Sequence, residues 1–132
     1  MAITRGIDVL LAQANAVIRT IPTEEAIAMQ RDATVTFVDI RDPRELERDG
    51  MVPDALHATR GTLEFWVDPA SPYFKPVFGE DRQFVLYCAS GWRSALATKT
   101  LQDMGMDNVA HVAGGLTAWK AAGGPVGSKP SR

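Results

Sequence analysis

The sequence predicts an α/β domain in which a mostly parallel central sheet of about five strands is flanked by helices on both faces. Two observations support this prediction. Short β-branched and aromatic runs, of which 35–38 and 84–87 are the clearest, alternate with segments of helical spacing. Such alternation is typical of βα units, which place parallel strands in the middle and helices on the two outer faces.

Composition limits what this domain can do. The 132 residues suit one domain with its own core, and 14 basic against 16 acidic residues give a formal charge of −2. Because the Lys and Arg residues form no concentrated patch in the sequence, we expect no binding to nucleic acid. The single cysteine excludes an internal disulfide framework and a multi-cysteine zinc site, and we expect neither a metal ion nor another cofactor.

The N-terminal segment bears on location. Residues Met1 to Arg19 lack the basic leader, unbroken apolar stretch and small-residue cleavage site of a secretory signal. No apolar run in the chain approaches the roughly 18 residues that a membrane span needs. We therefore expect a cytoplasmic protein with no membrane partner.

The first part of the chain predicts two helices and a strand. Apolar residues at helical spacing predict a leading amphipathic helix between Gly6 and Thr20. A second, short helix is expected to begin near Thr23, whose hydroxyl can cap it, with two glutamates in its first turn. The run Val35 to Val38 predicts a buried strand that ends at Asp39.

The middle of the chain is less regular. Pro43 to Arg48 predicts a charged helix that ends at Gly50. Ala55 to Ala58 is a weak candidate strand because its apolar content is small. Val67 to Arg82, with three prolines and three aromatic residues, is predicted to be a long ordered loop.

The last part of the chain gives the strongest strand, Phe84 to Tyr87, which leads directly into Cys88. A helix is expected after the cysteine, with an apolar face made of Ala97, Leu101 and Met104. Gly105 is expected to end this helix. Val109 to Val112 predicts another short strand, and Leu116 to Ala122 a closing helix.

The predicted strand ends indicate where a site would lie. In parallel α/β sheets, ligands bind beyond the carboxyl ends of the strands, where the strand-to-helix loops and helix N-termini gather. We therefore expect one sheet edge to collect five groups, which are Asp39, Arg41, Arg60, Cys88 and Gly114-Gly115.

The segment from Cys88 to Ser94 has the features of a reactive thiol loop. Gly91 tolerates a positive φ, so the backbone N–H groups of a tight loop can point at the sulfur. A helix expected to start near Ser94 adds the positive end of its dipole, and Arg93 adds a full positive charge. Both effects stabilise a thiolate, and the same donors would hold a terminal persulfide. A lone cysteine at the end of a core strand is otherwise an inert small side chain.

Three segments, taken in order, resemble the rhodanese family. They are Val38-Asp39-Ile40-Arg41-Asp42-Pro43-Arg44-Glu45, the loop Cys88-Ala89-Ser90-Gly91-Trp92-Arg93-Ser94, and Val112-Ala113-Gly114-Gly115-Leu116-Thr117-Ala118-Trp119. The chain departs from the family pattern at Met51 and Asp54, where the family has His and Gly. The resemblance implies a rhodanese domain over residues 20–126, preceded by a helical extension at 1–19 and followed by a flexible tail at 127–132.

The resemblance implies a sulfurtransferase that works by double displacement. The Cys88 thiolate would take a sulfane sulfur from a small anionic donor such as thiosulfate and pass it to a thiol or cyanide. Candidate binding residues are the loop members Ala89, Ser90, Gly91, Trp92, Arg93 and Ser94, together with Arg60, Arg41 and Asp39. For the arginines, salt bridges with Asp39, Glu45 or Glu64 are the alternative. His57 and His111 are interpreted as hydrogen-bonded structural histidines.

Two other functions stay open. A cysteine-loop phosphatase or arsenate reductase is disfavoured because those enzymes have a longer loop than the four residues between Cys88 and Arg93. The third hypothesis is a non-catalytic module that relays sulfur or binds a partner. Trp92 is expected at the pocket mouth, where it could select a donor or an acceptor protein. The sequence leaves the oligomeric state open, and a homodimer is one option.

Overall fold

A computed structural model describes residues 1–130 as a five-stranded sheet covered by six α-helices. The strands are β1 (Thr20–Ile21), β2 (Val35–Asp39), β3 (Leu56–His57), β4 (Gln83–Tyr87) and β5 (Val109–Val112). The helices are α1 (Ile7–Val17), α2 (Thr23–Met29), α3 (Pro43–Asp49), α4 (Leu63–Val67), α5 (Trp92–Asp103) and α6 (Gly115–Ala121). Within this part of the chain, no helix combines the length and apolar character needed to cross a membrane.

The sheet is parallel throughout, in the order β1-β5-β4-β2-β3. The longest strands lie in the middle, where Asp39 of β2 is level with Tyr87 of β4. Each consecutive pair of parallel strands needs a crossover, and the helices supply it. The predicted α/β class, with about five parallel strands, is confirmed.

The core divides into two clusters because alternate residues of each strand face opposite sides of the sheet. Phe84 and Leu86 pack on one side with Leu101 of α5, whereas Val85 and Tyr87 pack on the other side. The second cluster also contains Ala26 of α2 and Leu116 and Trp119 of α6. Both faces of the sheet are therefore buried under helices, as the sequence predicts.

The N-terminal segment differs from the prediction in two places. The leading helix ends at Val17, and Thr20 and Ile21 instead pair with His111 and Val112 at the edge of the sheet. Thr23 does not cap α2: it is the first residue of the helix, after Pro22, and its hydroxyl donates to the carbonyl of Ala113. Tertiary hydrogen bonds here override the local capping preference.

Two predictions in the second half need correction. Met104 lies just past the end of α5 and is exposed, so it does not share the buried face of Ala97 and Leu101. The region from Val67 to Arg82 is not wholly irregular, because α4 ends at Val67 and a 3₁₀ turn covers Pro76–Gly79. Phe78 in that turn is buried against Phe84 of the core.

The C-terminal segment returns to the domain. The N–H of Gly127 donates to the Met51 carbonyl at 2.7 Å, and the N–H of Met51 donates to the Gly127 carbonyl at 2.9 Å. This antiparallel bridge lies beside Gly50, where a Cβ atom would come within 2.6 Å of Val126. Of the tail predicted at 127–132, residues 131 and 132 lie outside the described part of the chain.

Candidate active site

The cysteine loop and the turn after β5 meet at the carboxyl edge of the sheet. Cys88 directly follows β4, and the turn after β5 packs against it. The N–H of Leu116 donates to the Cys88 carbonyl at 2.9 Å, and the N–H of Thr117 donates to the Ala89 carbonyl at 3.0 Å. A Cβ atom at Gly115 would lie only 2.5 Å from that Cys88 carbonyl oxygen. The glycine pair thus lets the first turn of α6 close against the cysteine loop.

Cys88 itself is almost fully buried, with 1% of its surface exposed. The N–H of Gly91 donates to its Sγ at 3.2 Å, and the Ser94 hydroxyl oxygen lies 3.6 Å from the same sulfur. Burial alone would raise the pKa of the thiol. Hydrogen bonds from the Ser94 amide and hydroxyl and from the Gly91 and Ser90 amides outweigh burial, so the pKa lies below its ordinary value.

The loop conformation explains why several N–H groups reach one sulfur. Gly91 has φ +102°, and the twelve-residue helix α5 begins immediately after it at Trp92. The predicted helix start near Ser94 is thus two residues late. The sulfur faces the first turn of α5, where the N–H groups have no partners within the helix and the dipole is positive.

Arg93 is near the sulfur but its guanidinium is engaged. Its two terminal nitrogens donate to the two carboxylate oxygens of Glu45 on α3, at 2.8 and 3.0 Å. The bonds from Arg93 hold the pKa of Glu45 below its ordinary value. Hydrogen bonding to Glu45 raises the pKa of Arg93, and the nearby Cys88 sulfur adds to this rise. A positive charge therefore lies beside the loop, restrained by a partner from another helix.

Arg41 and Asp39 lie at the same edge but face inward. The Arg41 side chain is 1% exposed and Asp39 is 0% exposed. The Asp39 carboxylate accepts from the Arg41 backbone N–H and from Nε, both at 3.0 Å, and from Nη2 at 2.8 Å. Arg41 also donates to the Gly50 carbonyl and lies over the Tyr87 ring. The pair ties the end of β2 to the segment after α3, and the hydrogen bonds of Arg41 go to Asp39 and Gly50 and not to the sulfur.

Arg60 lies just before α4 and has its own partners. It donates to Glu64 at 2.8 Å, and its other terminal nitrogen lies 3.4 Å from the Thr100 hydroxyl on α5. Its backbone N–H bonds to the Ile40 carbonyl, which places the residue at the sheet edge. The structure brings Arg60 to the predicted edge but does not join it to the cysteine loop.

The remaining loop residues shape the surroundings of the thiol. Trp92 is 60% exposed. Ala89 lines a shallow pocket of about 380 Å³ together with Arg41, Thr117 and Lys120. Among residues 1–130, no cluster of three or more His, Cys, Asp or Glu side chains could hold a metal ion.

His111 is the contact that sequence reasoning did not find. One ring nitrogen, Nδ1, lies 2.9 Å from the Ser94 hydroxyl, and the other, Nε2, lies 3.0 Å from the Thr20 hydroxyl. The sequence interpretation of His57 and His111 as hydrogen-bonded histidines agrees with these contacts and with the bond from His57 to the Arg41 carbonyl. The sequence contained no signal that His111 would lie behind the cysteine loop, since 17 residues separate it from Ser94.

Comparison with known proteins identifies the family to which this fold belongs. The family model for the rhodanese-like domain matches residues 22–122. A sulfurtransferase from Allochromatium vinosum is 36% identical over 92 residues, which cover 70% of this chain and 78% of that protein. A solved structure from Rhodopseudomonas palustris, described as a protein of unknown function and possible tyrosine phosphatase, is 57% identical with a TM-score of 0.93, covering 96% of this chain and 97% of that one.

The solution structure of the polysulfide-sulfur transferase homodimer from Wolinella succinogenes is 26% identical with a TM-score of 0.66. The match covers 92% of this chain and 87% of that one. The family match spans all three motif segments and most of the sheet. On these grounds the chain is a member of the rhodanese-like domain family.

Proposed function

We propose that this protein is a sulfurtransferase that moves a sulfane sulfur, through a persulfide on Cys88, from a donor such as thiosulfate to a thiol or cyanide. The observation that carries the proposal is the Gly91 N–H, which donates to the Cys88 sulfur at 3.2 Å from a loop whose hydrogen bonds lower the thiol pKa. The similarity to the Allochromatium sulfurtransferase supports the same reaction class.

The first half-reaction forms a bond between Cys88 and the donor. The thiolate attacks the outer sulfur of thiosulfate, the S–S bond of the donor breaks, and sulfite leaves with the bonding electron pair. One negative charge from the cysteine and two from thiosulfate become one on the persulfide and two on sulfite. The terminal persulfide sulfur is an anion, so the amides that hold the thiolate also suit the product.

The second half-reaction returns the enzyme to its starting state. Cyanide or a thiolate attacks the terminal sulfur, and Cys88 leaves as a thiolate. Because the sequence contains no second cysteine, an external acceptor must remove the sulfur. The exposed Trp92 is the proposed contact for an acceptor molecule or acceptor protein at the pocket mouth.

The arginines are proposed to act unequally. Arg93 is 42% exposed and beside the loop, so we assign it to attract the anionic donor. Arg41 and Asp39 are assigned to support the loop from below, because both are buried and paired with each other. Arg60 is assigned to the ion pair with Glu64, and its charge acts on the donor only from a distance.

Phosphatase activity is the second candidate, and the Rhodopseudomonas relative described as a possible tyrosine phosphatase is the observation that favours it. Two features argue against it. The loop has four residues between Cys88 and Arg93, which makes a small cradle for a tetrahedral phosphate. Both terminal nitrogens of Arg93 donate to Glu45, which leaves fewer of its N–H donors for the oxygens of a phosphate.

The proposed function is tested by incubating the protein with thiosulfate and measuring the mass of the intact chain by mass spectrometry. We expect a gain of one sulfur atom that reducing agent removes, and thiocyanate on addition of cyanide. Cys88→Ser should abolish both while leaving the thermal unfolding midpoint unchanged, because the two side chains are nearly the same size. A sulfur adduct without thiocyanate would support a relay module, and hydrolysis of p-nitrophenyl phosphate without a sulfur adduct would support the phosphatase.

A further inference from the structure

Behind the cysteine loop, four side chains form one continuous line of hydrogen-bonding groups. It runs from the Cys88 sulfur to the Ser94 hydroxyl at 3.6 Å, to His111 Nδ1 at 2.9 Å, and from His111 Nε2 to the Thr20 hydroxyl at 3.0 Å. Ser94 and His111 are 0% and 3% exposed, whereas Thr20 on the edge strand β1 is exposed. The line therefore connects a buried thiol with the protein surface.

We propose that Ser94, His111 and Thr20 form a proton relay that carries the Cys88 proton to solvent and then turns the Ser94 hydroxyl toward the thiolate. The proposal rests on the proposed function, since it concerns the ionisation of the nucleophile. His111 is here a positioning residue, because it acts on the sulfur only through Ser94.

The relay requires His111 to be neutral, and its surroundings provide this. Burial lowers the pKa of His111 to about 4. The charged and titratable groups on α5, on β4 and just before β1 have partners of their own. Arg19 donates to Gln83, Arg93 to Glu45, Lys99 to Asp103, and the Tyr87 hydroxyl accepts from the Val52 N–H. Cys88 is then the titratable group to which the imidazole is linked.

A neutral imidazole has one N–H, so the line has two self-consistent arrangements. With the thiol protonated, Cys88 donates to Ser94, Ser94 donates to Nδ1, and the N–H at Nε2 donates to Thr20. With the thiolate, every donor is reversed: Thr20 donates to Nε2, the N–H at Nδ1 donates to Ser94, and Ser94 donates to the sulfur.

The passage between the two arrangements is balanced. The thiol proton moves to Ser94, the Ser94 proton to Nδ1, the Nε2 proton to Thr20, and the Thr20 proton to water. Each neutral group of the protein gives up one proton and accepts one, so within the protein only the sulfur changes charge, and one proton is released to solvent. The tautomer of His111 must therefore change whenever Cys88 ionises.

The closing experiment follows the two ring nitrogens of His111 by ¹⁵N NMR while the ultraviolet absorbance of the thiolate reports the ionisation of Cys88. We expect the N–H to move from Nε2 to Nδ1 at the pH midpoint of the absorbance change. In Cys88→Ala the tautomer should stay the same over this pH range. A tautomer that stays fixed in the wild type while the thiol ionises overturns the proposal, as does a His111 that becomes cationic at that midpoint.

Matched variants test each end of the line. Ser94→Ala should abolish the tautomer change and raise the pKa of Cys88, because one donor to the thiolate is lost. Thr20→Val should lock the N–H on Nδ1, since a buried N–H without an acceptor costs more than a lone pair without a donor. Thr20→Ser should keep the change. If Thr20→Val titrates as the wild type does, Thr20 is not the outlet and the relay is wrong. These results do not depend on a sulfur donor, so they can fail while persulfide formation succeeds.

Discussion

The tips of β2 and β4 lie side by side, and they differ in how their polar groups are satisfied. At the tip of β2, Asp39 and Arg41 bind each other through three hydrogen bonds and are closed off from solvent. At the tip of β4, the Cys88 sulfur is held by hydrogen-bond donors from a loop and a helix start, and the Arg93 charge lies nearby. A place at the carboxyl edge is therefore not enough for a functional role. The residue at that edge must also have polar atoms that are not already taken by partners within the fold.

The largest effect is expected when the ion pair at the end of β2 is separated. Arg41→Met would leave the Asp39 carboxylate buried without its partner, and we expect a loss of about 3–5 kcal/mol in the free energy of unfolding, measured in urea. The exposed Arg48, paired with Asp49, is the matched control, and Arg48→Met should cause no measurable change. Normal stability of Arg41→Met combined with a raised KM for thiosulfate would place Arg41 in the donor site instead.

The close contact between the β4 loop and α6 can be tested at Gly115. Its φ of +60° is unfavourable for other residues, and a Cβ atom would lie 2.6 Å from the Ala89 carbonyl. We expect Gly115→Ala to lower stability by about 3 kcal/mol and to reduce sulfur transfer with it.

Gly105 provides the control for Gly115. Its φ is +102°, but a Cβ atom there would have no neighbour within 4 Å. Gly105→Ala should therefore cost only the backbone strain, about 1 kcal/mol, with activity kept. Equal losses for the two variants would mean that the contact with the cysteine loop adds nothing.

Acid should lower the free energy of unfolding because His111, on β5 next to β4, becomes protonated. Its pKa falls from 6.5 in the unfolded chain to about 4 in the fold, so the unfolded state binds the proton first. Stability is then fully present above 6.5 and decreases as the pH falls towards 4. The slope for one proton is about 1.4 kcal/mol per pH unit.

The measurement for this effect is urea unfolding at several pH values between these limits. His111→Leu removes the titrating group, so its stability should depend less on pH over this range. A slope that is identical in the two proteins would assign the acid sensitivity to other groups.

The smallest expected effect concerns the restraint on Arg93. Glu45 is kept ionised by the bonds from Arg93, which lower its pKa. Glu45→Gln should weaken this hold and lower the KM for an anionic donor about two- to fivefold, the factor that a partly exposed ion pair is worth. The kcat should change little, and Arg93→Ala should raise the KM. A lower KM for an aryl phosphate in the same variant would sharpen the case for the phosphatase.

The central fold could be predicted because its signal is local. The signals for β2 and for β4, the strand before Cys88, consist of adjacent β-branched, aromatic and other apolar residues. β1 could not be found, since two residues have no periodicity and Thr20 extends the pattern of the first helix. The five-residue helix α4 was missed for the same reason.

The candidate site was predictable in its centre and not in its surroundings. Cys88, Gly91 and the following helix are contiguous, so their geometry follows from loop and helix chemistry. The bond between Arg93 and Glu45 spans 48 residues, and that between Thr20 and His111 spans 91. Such contacts are determined by the packing of whole elements. Spacing along the chain therefore cannot distinguish an arginine that meets a substrate from one that meets a carboxylate.

The sheet has only two-residue strands at both of its borders, Thr20–Ile21 on one side and Leu56–His57 on the other. An incoming extended peptide could align with few backbone groups at either border, whereas strands in folded proteins are typically about 5–6 residues long. The longer, strongly apolar strands are held between neighbours and cannot act as templates. This arrangement protects the folded chain against edge-to-edge aggregation.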